Sequence, residues 1–385
     1  MRKVRFMMAV LFAAFLFLPV LSGAELAAGV PGGAAAEPAA AGLDARSAGT
    51  AVQASADIPS GTGTPSADIP STEEEDIDLP GIIFGHIGDA YEWHITDWGG
   101  KAVAIPLPVI LYDRGTGWHV FSSHHLEHGE YRGFHIDADS GKVVRADGTR
   151  PFDISITKNV LSLMMSSLLL LVLVLLTARW YRRHDALDEA PKGLAAFAEP
   201  LIMMVHDMAK ENIGEDYRRY SPFLCMAFFF ILLNNFLGII PFFPGGANLT
   251  GNIAVTLVLS LATFLTVNLF GTKHYYKDIF CPEVPGFLKP VMPVIEVFSA
   301  LMKPVSLMIR LFANMLAGHI MILSIVCVIF IMAKYGPLLT GSMSVVSVLF
   351  GVFLDALECL VAFIQAYVFT MLSSIYIGLS RQHGE

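Results

Sequence analysis

Apolar residues are spread unevenly along the chain, and their spacing divides it into four stretches. Met7 to Leu21 is an apolar run behind basic Arg2, Lys3 and Arg5, and it ends at the small residues Ser22-Gly23-Ala24. This is the layout of an export signal over residues 1–24. At about 15 apolar residues the run is shorter than the ~20 a membrane span needs, which favours a cleaved signal over an uncleaved first helix. On either reading, the segment beyond Ala24 lies on the outer side of a membrane. Residues 25–79 carry Ala, Gly, Pro, Ser and Thr, a direct repeat (Ser55–Ser60 and Ser66–Ser71) and the acidic run Glu73–Asp76. Such a segment buries too little apolar surface to offset chain entropy and reads as a disordered acidic linker.

Periodicity returns in residues 80–150. Tyr91, Trp93 and Ile95 alternate with Glu92, His94 and Thr96, the period of a half-buried strand. Asp113-Arg-Gly-Thr-Gly117 and Asp139-Ser-Gly141 supply turns between β-prone runs such as Trp118–Phe121 and Lys142–Arg145. A small β-rich exported domain is expected here.

From residue 151 to 385 the pattern is that of a membrane domain. Val160 to Ala178 is almost uninterrupted and ends at Arg179-Trp-Tyr-Arg-Arg183, which the positive-inside rule places in the cytoplasm. Residues 190–221 mix Leu, Ile and Met with Lys192, Lys210, Glu211, Arg218 and Arg219, as in an amphipathic surface helix. Phe223–Phe243 and Asn252–Phe270 form an out-and-back pair closed by Lys273-His-Tyr-Tyr-Lys277. Val291–Ala333, with Pro293 and Pro304 inside it, and Met343–Leu379 are each far longer than one perpendicular crossing. They predict strongly tilted or kinked spans around a turn at Tyr335-Gly-Pro337. The expected fold is an all-α polytopic membrane protein of about five membrane helices, the last two long and tilted, plus the surface helix and the β-rich N-terminal domain. The C-terminus is cytoplasmic and the exported domain is opposite.

Composition agrees with this. The chain is 54% hydrophobic and only 15% charged, where soluble proteins carry about 25% charged residues. Net charge is −13 over residues 25–153 and +4 elsewhere, which argues against nucleic-acid binding. All four cysteines lie beyond residue 224, so no disulfide staples the exported part. Seven of the twelve histidines fall in residues 80–150, and His125, Glu127, His128 and Glu130 lie close in sequence. None matches a zinc-ligand spacing, so a solvated polar surface is favoured over a metal site. The chain also lacks a Gly-x-x-x-x-Gly-Lys-[Ser/Thr] loop, and no cofactor is expected.

Candidate chemistry lies in the last two apolar stretches. They contain Glu296, Lys303, Arg310 and His319 on one arm, and Asp355 and Glu358 on the other. Ionisable groups inside apolar helices cost several kcal/mol and mark functional sites. Arg310 stands out because a guanidinium cannot shed its charge and needs a carboxylate partner or water. Glu358 or Asp355 could be that partner. Along a helix Glu296 falls within ~40° of the Arg310 face, ~21 Å away, and Asn314 shares it, whereas His319 points ~180° away. On the second arm Asp355, Glu358 and Gln365 are spaced to share one face. Polar groups at different depths on two arms, divided by one fixed positive charge, suit a proton or cation path. His319 and Glu358 could equally form a buried hydrogen-bonded pair, and Glu296 and Lys303 could snorkel to the interface.

The run Lys303-Pro-Val-Ser-Leu-Met-Ile-Arg310-Leu-Phe-Ala-Asn314-Met-Leu-Ala-Gly318-His319 resembles the a subunit of F-type ATP synthases. So do Glu358-Cys-Leu-Val-Ala-Phe-Ile-Gln365, Asn234-Asn-Phe-Leu-Gly-Ile-Ile-Pro241 and Asn248-Leu-Thr-Gly-Asn-Ile-Ala-Val-Thr256, in the expected order over about residues 155–385. The resemblance implies a non-catalytic stator subunit of a bacterial inner membrane, partnered by the rotating c-ring and the peripheral-stalk b subunits. It implies that Arg310 faces the ring's carboxylate and separates two half-channels, with Asn314, Gln365 and Ser306 beside it. It also implies that His319 and Glu358 line the outer route and Glu296 the cytoplasmic one. The N-terminal 150 residues lie outside this resemblance. Two other classes compete: a stand-alone cation/proton antiporter, which should show inverted repeats, and a membrane-anchored binding protein working through the His-rich domain.

Overall fold

The computed structural model describes residues 88–98, 101–127, 129–137, 141–184, 191–240, 245–280, 289, 291–333 and 336–381. The expected signal (1–24), the linker (25–79), residues 80–87, His128 and the Tyr335 turn residue lie outside the described residues.

The N-terminal domain runs β1 (Glu92–Trp98), β2 (Lys101–Pro106), β3 (Pro108–Asp113), β4 (Gly117–Ser122), a one-turn helix α1 (His124–Glu127), β5 (Phe134–Ile136), β6 (Val143–Arg145) and β7 (Phe152–Asp153). Antiparallel pairing gives three small sheets, β1-β2, β4-β3-β7 and β5-β6. Alternation places Val109 and Leu111 of β3 inward, fully buried with Tyr91, Phe121, Leu126, Phe134 and Val143. The expected turn at Asp113–Gly117 closes β3-β4, with Gly117 at φ +85° and the Thr116 hydroxyl donating to Asp113. Strand β7 takes the domain past its expected boundary at 150, and the chain beyond it stays on β3. Ile154 N–H donates to the Ile110 carbonyl (2.9 Å) and Ile156 N–H to the Pro108 carbonyl (3.1 Å).

That strand leads straight into α2 (Lys158–Arg183), whose N-cap is Thr157. Two first-turn amides are satisfied from the domain: Lys158 N–H by the Ala90 carbonyl and Asn159 N–H by Asp89 Oδ1 (3.0 Å). Helix α2 turns Ser162, Ser166, Leu170 and Thr177 inward and leaves Leu168, Val174 and Leu175 exposed. Small polar residues inside and leucines outside are the arrangement of a helix solvated by lipid.

Helix α3 (Leu194–Ile213) comes next, then a 3-10 turn over Gly214–Asp216 and α4 (Tyr217–Ile239). The chain folds back at that turn. His206 Nδ1 lies 3.3 Å from Ser221 Oγ, 15 residues on, where an unbroken helix would hold them ~22 Å apart. The expected surface helix is therefore a separate element, and α4 begins six residues before the expected Phe223. Helix α4 is the centre of the bundle, buried almost all round by Phe223, Leu224, Phe228, Phe230 and Ile231. Helix α5 (Ile253–Leu269) is capped by the Asn252 side chain and meets α6 (Lys273–Phe280) at a 100° bend.

The last elements are α7 (Met292–Ala333, 42 residues) and α8 (Pro337–Arg381, 45 residues), joined through Gly336 at φ +113°. Helix α7 is assigned as one continuous helix with Pro304 inside it. At 1.5 Å per residue the two are about 63 and 68 Å long, roughly twice a bilayer core, and can remain apolar-solvated only if steeply inclined. Among the described residues four helical stretches are long and apolar enough to cross a membrane, five if the bent pair α5/α6 counts as one. The protein is a multi-pass membrane protein. At one end of the bundle Arg381 pairs with Asp216 and donates to the Phe270 carbonyl, while Thr272 N–H donates to the Ser380 carbonyl. The start of α4, the end of α5 and the end of α8 thus share one side.

Candidate functional site

Three polar contacts define how α7 and α8 run past each other. Lys303 Nζ sits 5.3 Å from the Tyr376 ring centroid, Asn314 Nδ2 donates to Gln365 Oε1 at 2.8 Å, and His319 Nδ1 meets Glu358 Oε1 at 3.1 Å. As the position rises along α7 it falls along α8, so the arms are antiparallel and in register. Their polar groups form rungs at different depths.

The deepest rung is the His319–Glu358 pair. Glu358 is 8% exposed and His319 partly buried. Two glycines make room for it. A Cβ on Gly318 would stand 2.6 Å from Glu358 Oε1, and one on Gly238 of α4 would stand 2.8 Å from Met315 Cε and 3.6 Å from His319 Cε1. The pair therefore sits where α4, α7 and α8 converge. Glu358 Oε2 and Gln365 Nε2 are buried with no hydrogen-bond partner among the described residues. Each keeps hydrogen-bonding capacity directed into the interior, in a place where it is costly to leave unused.

Beside this site α4 carries a second polar cluster. Asn235 donates to the Ala362 carbonyl (3.3 Å) and accepts from Thr250 Oγ1 (2.8 Å), and Asn234 donates to the Phe230 carbonyl. These groups tie the loop after α4 to α8. Toward the other end of the hairpin, a shallow, narrow cleft is lined by residues that include Ser260, Thr263, Asn268, Lys303 and Tyr376.

Arg310 is placed differently from Lys303, His319 and Glu358, each of which has a partner on the facing arm. It is exposed, with Ser306 and Asn314 exposed on the same stripe of α7. Among the described residues it makes no ion pair. The two carboxylates considered as its partners do not supply one: Glu358 is held by His319, and Asp355 is exposed on α8 without a hydrogen bond. Exposed apolar side chains recur along both arms of the hairpin, among them Met302, Ile309 and Met321 on α7 and Val352, Phe353, Leu360 and Ile364 on α8. Glu296 lies 14 residues before Arg310, half-buried. The structure therefore brings together His319 with Glu358 and Asn314 with Gln365. It leaves Arg310, Ser306 and Asp355 on the open face and Glu296 apart. No group of three metal-binding side chains occurs among the described residues.

Residues 162–378 match the model of a family described as ATP synthase A chain. That stretch is more than half of the chain and contains every residue of the site. The chain belongs to this family. Its relatives include ATP synthase subunit a 2 of Chlorobaculum tepidum, 42% identical over 240 residues (61% of this chain and 65% of the relative). ATP synthase subunit a of Pelodictyon phaeoclathratiforme is 42% identical over 236 residues (60% and 67%), and that of Myxococcus xanthus 39% over 240 (60% and 75%). The aligned part of the chain thus spans about two thirds of the length of these relatives. Residues 82–162 match a second family, described only as a domain of unknown function.

The glycines at 238 and 318 were not singled out in the sequence, although both fall within motifs that carried the resemblance. Their role depends on which side chain approaches from another helix, and no periodicity encodes that.

Proposed function

We propose that the chain is the a subunit of an F-type ATP synthase, carrying protons in two half-channels to and from a rotating c-ring. The single observation that carries this reading is the exposed, unpaired Arg310 on an apolar helix face. A permanent charge in that position needs a carboxylate from another chain. The c-ring carboxylate is that partner, and the peripheral-stalk b subunits hold the chain against rotation. The basic ends at Arg179–Arg183, Lys273–Lys277 and Arg381 face the cytoplasm of a bacterial inner membrane, and the N-terminal domain is periplasmic.

The path runs along the rungs. A proton arriving from the outer side is relayed by His319 and Glu358, whose free Oε2 can take it up and release it. It then neutralises a ring carboxylate, which can turn into lipid only when uncharged. On return, the field of Arg310 favours the ionised carboxylate and expels the proton toward the cytoplasm past Ser306 and Glu296. The Asn314–Gln365 bond fixes the two arms beside the guanidinium, and Asp355 widens the polar entrance near Glu358. Glu358→Ala tests the outer route: ATP-driven acidification of inverted vesicles should fall at least tenfold with the complex assembled. Unchanged acidification would remove Glu358 from the path.

An antiporter is not favoured. The ionisable groups concentrate on one hairpin, and the family match extends over the whole bundle.

A further inference from the structure

The N-terminal domain presents a second apolar surface that the channel does not use. Alternation in the β4-β3-β7 sheet puts Val109, Leu111 and Phe121 into the core and the intervening residues on the opposite face. That face carries Tyr112, Trp118, Val120 and Phe152, which are 39%, 62%, 62% and 43% exposed. They are direct neighbours: Tyr112 is opposite Trp118 on one side and Phe152 on the other, with the Tyr112 and Trp118 rings 5.0 Å apart. Isolated exposed hydrophobics need no explanation, but three adjoining aromatics on one sheet face mark an interaction surface.

We infer that this aromatic sheet face docks on the headgroup layer of the bilayer that α2 crosses, with Arg114 and Arg150 engaging anionic lipid phosphates. Continuity with the lipid-facing surface supports this occupant. Phe152 lies six residues before the first residue of α2, and the chain between them is bonded to β3 through Ile154 and Ile156. Asp89 and Ala90 then clamp the first turn of the helix. The sheet is therefore tied by hydrogen bonds to the start of α2. At ~3.3 Å per residue, Tyr112 is about 13 Å along β3 from Pro108, which lies beside the helix start. Residue chemistry fits as well. Trp and Tyr place an apolar ring and a polar edge at the water–lipid boundary, where they are enriched in membrane proteins. Arg114, in the turn between Tyr112 and Trp118, and Arg150, two residues before Phe152, are exposed and form no ion pair among the described residues. Two free guanidiniums flanking an aromatic face complement a phosphate-bearing surface.

The test uses the full chain in nanodiscs of equimolar phosphatidylcholine and phosphatidylglycerol, with acyl chains brominated near the headgroup. The Trp118 signal is the difference in emission between wild type and Trp118→Phe. It should fall by about half in brominated discs and be shielded from acrylamide. Replacing phosphatidylglycerol by phosphatidylcholine, or introducing Arg114→Gln with Arg150→Gln, should weaken that quenching. A Trp118 signal open to acrylamide and untouched by bromine would overturn the inference. So would shielding from both, which would mean that residues 1–87 or a second copy of the chain cover the face. Proton pumping does not enter this readout, so its outcome is independent of the channel assignment.

Discussion

Arg310 and Glu358 show how two charges in the same hairpin receive opposite treatment. Glu358 is enclosed, contacted by His319 and given space by Gly318, whereas Arg310 is left on an open apolar face. Burying a carboxylate beside imidazole lets a proton be shared between them, while leaving an arginine exposed keeps its charge available to another chain. Gly318→Ala separates space from chemistry. The added Cβ would stand 2.6 Å from Glu358 Oε1, at the end of a flexible side chain that can swing aside. The variant should therefore fold and assemble with a stability cost of about 1 kcal/mol, the low end for overpacking, yet lose most ATP-driven proton pumping. Thermal denaturation together with vesicle acidification reads both, and full pumping would show that the His319–Glu358 contact is dispensable. The identities of these residues were legible in the sequence, because a charge in an apolar helix announces itself. Which of them would touch was only partly legible. Helix phase separated His319 from Arg310 correctly, but it could not decide whether Glu358 would pair with His319 or with Arg310, because that depends on register between two helices.

At the scale of elements, length and periodicity predicted most of the helices, and the differences have local causes. Helix α2 extends beyond Val160–Ala178 because Thr157 caps it and Arg182 and Arg183 suit its last turn. Helix α4 starts six residues before the expected Phe223, directly after the 3-10 turn Gly214–Asp216, and takes Pro222 inside it. The fold-back between α3 and α4 was expected only as a change from amphipathic to apolar character, since a 3-10 turn at Gly214 leaves no stronger mark. Helix α3 is then locked to α8. Asn212 Nδ2 donates to Ser374 Oγ at 2.8 Å, and Gly378 lets the backbones close. A Cβ at position 378 would lie 2.1 Å from the Asn212 carbonyl oxygen, a backbone atom that cannot rotate away. Gly378→Ala should accordingly destabilise the protein by about 1–3 kcal/mol and lower its melting temperature in detergent. An unchanged melting temperature would mean that α3 is only loosely held against the hairpin.

At the scale of the whole molecule, a lipid-facing bundle is joined through hydrogen bonds at the start of α2 to a small β-rich domain, and the two match different families. The membrane bundle was readable because lipid imposes length and polarity on every span. The domain's role was not, because its histidines match no zinc-ligand spacing in the sequence and its exposed aromatics share a face only once the sheets are paired. The proposed proton path lies wholly within α7 and α8. Deleting residues 25–150 should thus leave most ATP-driven pumping intact in assembled complexes, measured in inverted vesicles. Complete loss with normal assembly would point instead to the binding-protein reading.

The most direct measurement of the central claim is ATP-driven proton pumping in inverted vesicles, comparing wild type with Arg310→Ala and Arg310→Lys at equal assembly. Pumping should be abolished in the alanine variant. It should be reduced at least tenfold in the lysine variant, because a lysine in an apolar site can lose its proton and its charge. Pumping by Arg310→Ala at the wild-type rate would contradict the account and reduce Arg310 to an incidental surface charge.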